Sequence, residues 1–190
     1  MVNLQFGDVL LFPTDKYSPV YKYAKNKVNK FFADLLEHLT GQQYAHVGIY
    51  LTPSKDKNKF WSLEAIDQGV WLVERSVSDF QYLDVIRHKK IDKDHIIEME
   101  NLVYSYWNKP YDWTSLLLNG ITELAGIIGF EEYLEKTFQE VRDTPHTQIC
   151  SELVARIYAD VGLEFSKKPE YISPMDIYKN ENFKIIIEHK

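Results

Sequence analysis

Three short apolar runs crowd into residues 44–74, and they limit what this chain can fold into. Residues 44–51 (YAHVGIYL), 60–66 (FWSLEAI) and 69–74 (GVWLVE) read as strands. Between the first two lies TPSKDKNK, a polar loop with turn chemistry. Further strands are predicted at 4–12 (LQFGDVLLF, with a turn at Gly7-Asp8), at 80–87 (FQYLDVIR) and in FKIIIEH near the end. Helices are predicted around them. One covers 18–40, with Ser18 as cap, Pro19 at the first position and Gly41 after its end. Others cover 92–107, 112–140 with a break near Gly126–Gly129, and Cys150 to about Val161, where Gly162 is the stop signal. Ser173-Pro174-Met175-Asp176 opens a short helical turn. Strands that cluster early, with helices around them, make an α+β protein with an antiparallel sheet rather than repeating βαβ units.

Composition narrows the function classes. The 190 residues fit a single domain spanning 1–190, and 45% hydrophobic content marks a globular chain. A formal net charge of −6 argues against a general nucleic-acid binder, so no nucleic-acid partner is expected. One cysteine cannot form an internal disulfide, so nothing demands an oxidising compartment. The N-terminus MVNLQFGDVLLF lacks the pattern of a secretory signal, and the cytoplasm is the expected location. The longest apolar stretch, Trp113 to Phe130, contains Asn119 and Glu123. It falls short of the ~20 clean apolar residues of a membrane span. A buried helix is expected there, with no stable membrane insertion.

The chemistry centres on Cys150, which opens the amphipathic run ICSELVARIYADVG. A thiol in the first turn of a helix faces unpaired N–H groups and the positive end of the macrodipole. Both favour the thiolate. A lone cysteine is more often a small buried hydrophobe, so the case depends on a base and an orienting group. His46 in YAHVGIYL and Glu64 in WSLEAI supply candidates. If these strands form a hairpin centred near Lys55, nine residues separate that point from each of them. A symmetric register then places His46 and Glu64 directly opposite each other on one face of the sheet. A slip of one residue would put them on opposite faces. A carboxylate so placed holds an imidazole in one tautomer and stabilises its protonated form. Tyr44, two residues before His46, is expected to share that face and line a substrate pocket.

The order of these elements resembles the circularly permuted papain-like cysteine hydrolases, the YiiX-like branch of the NlpC-type superfamily. The matching stretches are FGDVLLF, AHVGIYL, LEAIDQGVWLVE, YDW at 111–113 and ICSELVARIYADVG, roughly Gly7 to Gly162. The order His, Glu, Cys is that of the permuted members. The resemblance implies a permuted papain-like (NlpC-like) fold, an antiparallel sheet packed with helices. It matches Cys150 to the nucleophile, His46 to the general base and Glu64 to the residue that orients the histidine. Related folds often carry histidine, asparagine or glutamine at that third position. The implied reaction is acyl transfer through a thioester, with an amide bond in a peptide or peptide-like substrate as the expected target and no cofactor. The backbone N–H of Cys150 is the natural oxyanion donor.

Other readings stay open beside this one. The same triad would serve a lipid acyl hydrolase or acyltransferase, and the same fold would serve a non-catalytic binding module. The stretch WTSLLLNGITELAGIIGFEEYL would be a wall over an acyl chain in the lipid reading; ordinary core is expected. The 13 tyrosines and 10 phenylalanines suit either a pocket or packing. His146 is read as a solvated loop residue. Asp92, Asp94 and His95 lack the spacing of a zinc site and read as a polar helix start, so no metal ligands are assigned. Tyr111, Asp112 and Ser151 are assigned structural roles at helix starts. The oligomeric state is not readable from the residues.

Overall fold

The computed structural model describes residues 3–13, 43–66, 68–111 and 149–189. The helices predicted at 18–40 and 112–140, together with Asp112 and His146, lie outside the described residues. Within them, β1 (Val9–Pro13), β2 (Tyr44–Pro53), β3 (Lys59–Ile66), β4 (Gly69–Ser76), β5 (Asp84–His88) and β6 (Phe183–Ile187) form one sheet. The strand order is β4-β3-β2-β1-β5-β6, and every neighbouring pair is antiparallel. Helices α1 (Lys93–Tyr106), α2 (Cys150–Asp160) and α3 (Pro174–Lys179) complete an α+β arrangement. None of these helices is long and apolar enough to cross a membrane.

Alternation along the strands divides the core in two. Val9, Leu11, Val47, Ile49, Leu63, Ala65 and Ile86 belong to a cluster that includes Leu153, Val154, Ile157 and Tyr158 of α2. Leu10, Phe12, Tyr50, Phe60, Leu83 and Val85 form the other cluster. Side chains two residues apart on a strand share a face, which produces this division. Each large aliphatic buried from α2 is worth ~1.5–3 kcal/mol relative to leaving it exposed. That packing holds a short helix whose N-cap residue, Ile149, makes no side-chain capping bond.

Local signals mark the ends of several elements. Asp92 accepts the N–H groups of Asp94 (3.0 Å) and His95 (3.1 Å), so it caps α1. Ser173 and Asp176 form a reciprocal capping box at α3. Beyond α2, Gly162 takes φ +77°. Its N–H bonds to the Ala159 carbonyl, and the Leu163 N–H bonds to the Tyr158 carbonyl, both at 2.9 Å. This pair of bonds is a Schellman stop.

Two strands begin later than the sequence predicts. The run 4–12 becomes strand only at Val9, because the chain turns at Gly7 (φ +90°). A Cβ at Gly7 would lie 2.8 Å from Ile91 Cδ1 and 3.1 Å from Met99 Sδ, so the turn packs closely against α1. The run 80–87 becomes strand only at Asp84. Val77–Gln81 instead form a 3₁₀ turn, started by Ser76 accepting the Ser78 N–H at 3.2 Å.

Candidate active site

The hairpin of β2 and β3 corrects the predicted register. Pro53 pairs with Phe60 and Thr52 with Trp61, so the loop is centred on Asp56–Lys57 rather than Lys55. The Asp56 carboxylate accepts the Asn58 N–H, and its carbonyl accepts the Lys59 N–H, both at 2.9 Å. A regular ladder from that turn would set Glu64 opposite Ile49, on the wrong face for His46. The register steps between Tyr50 and Thr52, where β2 carries one extra residue. From there Tyr50 pairs with Ser62 and Gly48 with Glu64. Glu64 is therefore opposite Gly48, two residues beyond His46. The offset is even, so both side chains keep one face and meet diagonally: His46 Nε2 and Glu64 Oε2 are 2.8 Å apart.

Glycine at position 48 makes that diagonal contact possible. A Cβ there would come within 2.7 Å of Glu64 Cγ, so the glutamate occupies the space a side chain would fill. Phe12 pairs with His46 from β1, and the two rings stand 5.2 Å apart. Beside His46 the register steps again, between Phe12 and Pro13, so β2 is irregular where it meets the start of α2.

Cys150 is the first residue of α2, and 7% of it is exposed. The backbone N–H groups of Ser151 and of Val47 on β2 lie near its sulfur and favour the thiolate. The His46 side chain hydrogen-bonds Cys150 as well as Glu64. With Nε2 engaged by Glu64, Nδ1 is the ring nitrogen left for the thiol. Three side chains from α2, β2 and β3 are thus brought together, with His46 between Cys150 and Glu64.

Burial pushes the Cys150 thiol up, but the His46 hydrogen bond and charge, then the two N–H groups, bring it below its ordinary value. Burial pushes the His46 imidazole down. Its bonds to Cys150 and Glu64, and their charges, outweigh that and raise it to about 9. Burial pushes the Glu64 carboxyl up, yet the Arg75 guanidinium and then His46 hold it well below the usual carboxylate range. These shifts favour an imidazolium facing a thiolate at neutral pH.

Several members of this cluster carry no label in the sequence. Arg75 on β4 donates Nη2 to Glu64 Oε2 at 2.5 Å and Nε to Oε1. Ser62 donates its hydroxyl to Glu64 Oε1 at 2.5 Å. The legible signal for Arg75 is the tight turn after Ile66. Ile66 pairs with Gly69, which fixes Phe60 opposite Arg75 and places Arg75 on the Glu64 face.

Tyr44 stands in a different setting from the one expected. The skipped residue Ala45 breaks the alternation between Tyr44 and His46. Tyr44 has no exposed surface; its hydroxyl donates to Asp84, and its ring lies 4.9 Å from that of Tyr178. Asp84 also accepts the His189 N–H at 2.7 Å. A groove of about 430 Å³, lined by Phe165, Ile172, Lys167, Asp176, Lys179 and neighbours, includes none of the four candidate residues. Asp92 and His95 are taken up by the start of α1, their side chains 2.6 Å apart. No protein-family model matches this chain, and no curated protein matches it significantly.

Proposed function

We propose that this protein is a cysteine-dependent hydrolase of the permuted papain-like kind, acting on an amide bond in a peptide or peptide-like substrate. The observation that carries the reading is the His46–Glu64 hydrogen bond beside the Cys150 thiol, which stands at a helix N-terminus. The amide preference follows the resemblance in the order of His46, Glu64 and Cys150.

On this reading the reaction runs in two stages, acylation of Cys150 and hydrolysis of the thioester. The Cys150 thiolate attacks the carbonyl carbon and forms a tetrahedral intermediate. Its oxyanion faces the first turn of α2, where Ile149 provides no side-chain cap and the Cys150 N–H is the candidate donor. The carbon–nitrogen bond breaks as His46 gives its proton to the leaving amine, and a thioester remains on Cys150. His46 then takes a proton from water, the hydroxide attacks the thioester, and the acid leaves as the thiol returns. Glu64 keeps the ring in one orientation and stabilises its charged form throughout.

The test is hydrolysis of a panel of peptide amides alongside lipid esters, with C150A and H46A in parallel. The expected result is amide cleavage by the wild type, lost in both variants. Cleavage of lipid esters alone would move the substrate class to acyl lipids. A panel left wholly uncleaved, with a Cys150 thiol that titrates near the ordinary ~8.5, would point to a binding module.

A further inference from the structure

The proposed triad omits a buried charge that touches it. Arg75 is 3% exposed and forms a two-point fork with both oxygens of Glu64. Glu64 Oε2 is shared between Arg75 Nη2 and His46 Nε2. The Arg75 guanidinium also lies 4.4 Å over the Phe12 ring, which stands 5.2 Å from the His46 ring. We infer that Arg75 is a positioning residue of this site: it clamps the Glu64 carboxylate and balances its charge, leaving His46 to pair with Cys150. The inference rests on the proposed Cys150–His46 pair.

Charge balance gives the reason. Among the described residues, the groups of the site are Cys150 on α2, His46 on β2, Glu64 on β3 and Arg75 on β4, with the neutral Ser62 beside Glu64. With all four ionised, their charges sum to zero, and a thiolate forms without net charge in the interior. Without Arg75, a thiolate would leave one buried negative charge uncompensated. Glu64 then has two ways to respond. It takes up a proton and ceases to support the imidazolium, or it stays charged and claims the imidazolium for itself. Either way, the support for the Cys150 thiolate falls. The fork also fixes the rotation of the carboxylate, which a lysine ammonium at this position cannot copy.

The experiment is the iodoacetamide reaction rate of Cys150 against pH, in the wild type, R75K, R75M and the double variant E64Q/R75M. Thermal melts confirm which variants are folded. R75M is expected to raise the alkylation midpoint by about one pH unit or more, and R75K by less. The double variant removes both charges and keeps a polar group beside His46. It is expected to return to within about half a pH unit of wild type. A folded R75M with the wild-type profile overturns the inference. So does a double variant that titrates as a free cysteine, at about 8.5. If R75M does not fold, R75K and the double variant decide the matter by the same criteria, an unmoved R75K counting against it. A wild-type thiol that titrates normally and ignores H46A overturns the proposed function itself. A low wild-type midpoint with unmoved Arg75 variants overturns only the role of Arg75.

Discussion

Substituting Gly48 by alanine should damage the site without replacing any group that carries its chemistry. The new Cβ would stand 2.7 Å from Glu64 Cγ and 3.2 Å from the Leu63 carbonyl oxygen. Non-bonded carbons rest at about 3.5–4.0 Å, so Glu64 must retreat by about 0.8 Å. It cannot do so freely, because Arg75, Ser62 and His46 hold its carboxylate and the residue has no exposed surface. If the carboxylate follows, the 2.8 Å contact with His46 opens to about 3.6 Å, beyond hydrogen-bond range. Overpacking of a filled interior costs about 1–3 kcal/mol. At about 2–4 °C per kcal/mol for a chain of this size, Tm should fall by roughly 2–12 °C. The assay pairs a thermal melt with the pH dependence of Cys150 alkylation, and the alkylation midpoint should rise along with the loss of Tm. A Gly48→Ala protein that melts within about 1 °C of wild type and alkylates identically would refute the reasoning. Glu64 would then have room that the geometry denies it.

Two other outcomes follow from the same geometry. The rate of amide cleavage should be bell-shaped in pH, rising as the Cys150 thiolate forms and falling as His46 gives up its proton near pH 9; E64Q should move the upper limb to lower pH, and an unmoved limb would remove Glu64 from the site. Glu64 also bears on stability: its folded value lies well below its ordinary 4.5, so its contribution is full above pH 4.5 and is lost progressively as the pH falls from there toward the depressed folded value, and E64Q should flatten the fall of Tm in acid. Gly162→Ala serves as a control remote from the site. The glycine has φ +77° and open space around it, so the cost is backbone strain alone, about 1 kcal/mol or 2–4 °C in Tm. Its alkylation profile should match wild type, and a shifted profile would mean that the end of α2 is coupled to its start.

What the sequence disclosed depended on the range over which each signal acts. The caps of α1 and α3, the stop at Gly162 and the start of α2 at Cys150 were legible because each is settled within a few residues. The strands at 44–53, 59–66 and 69–76 were legible from their composition and spacing. The relation of His46 to Glu64 was harder, because it accumulates every irregularity between the two. The off-centre turn at Asp56–Lys57 would have reversed the face of Glu64, and the extra residue in β2 restored it. The sequence reading therefore had the correct face but the wrong opposite residue. Tyr44 illustrates the converse: one skipped residue, Ala45, ended the alternation that linked it to His46. Bulges carry no short sequence signature, so neither step was readable. Arg75 was missed for another reason. It lies one residue past the strand predicted at 69–74, and the register of β3 with β4 is what brings it to the buried carboxylate.

Under the proposed function, Arg75 also explains how a glutamate can serve beside His46. The third position of such triads is often a neutral hydrogen-bonding residue, and a lone glutamate is a poor substitute for it chemically. An unpaired buried glutamate beside His46 would hold the imidazolium as its own ion partner and leave the thiol protonated. A glutamate forked to an arginine is a different object. The pair is neutral overall, and it offers the imidazole an acceptor oxygen of fixed direction, which is what an asparagine or glutamine side chain offers. The remaining difference is the dipole of the pair, with its negative end toward His46, and this favours the charged ring. Under the proposed function, Glu64 and Arg75 then act together as one polar group. The double variant E64Q/R75M is the direct measure of that equivalence, because it replaces the charged pair by the neutral amide and asks whether Cys150 registers the exchange.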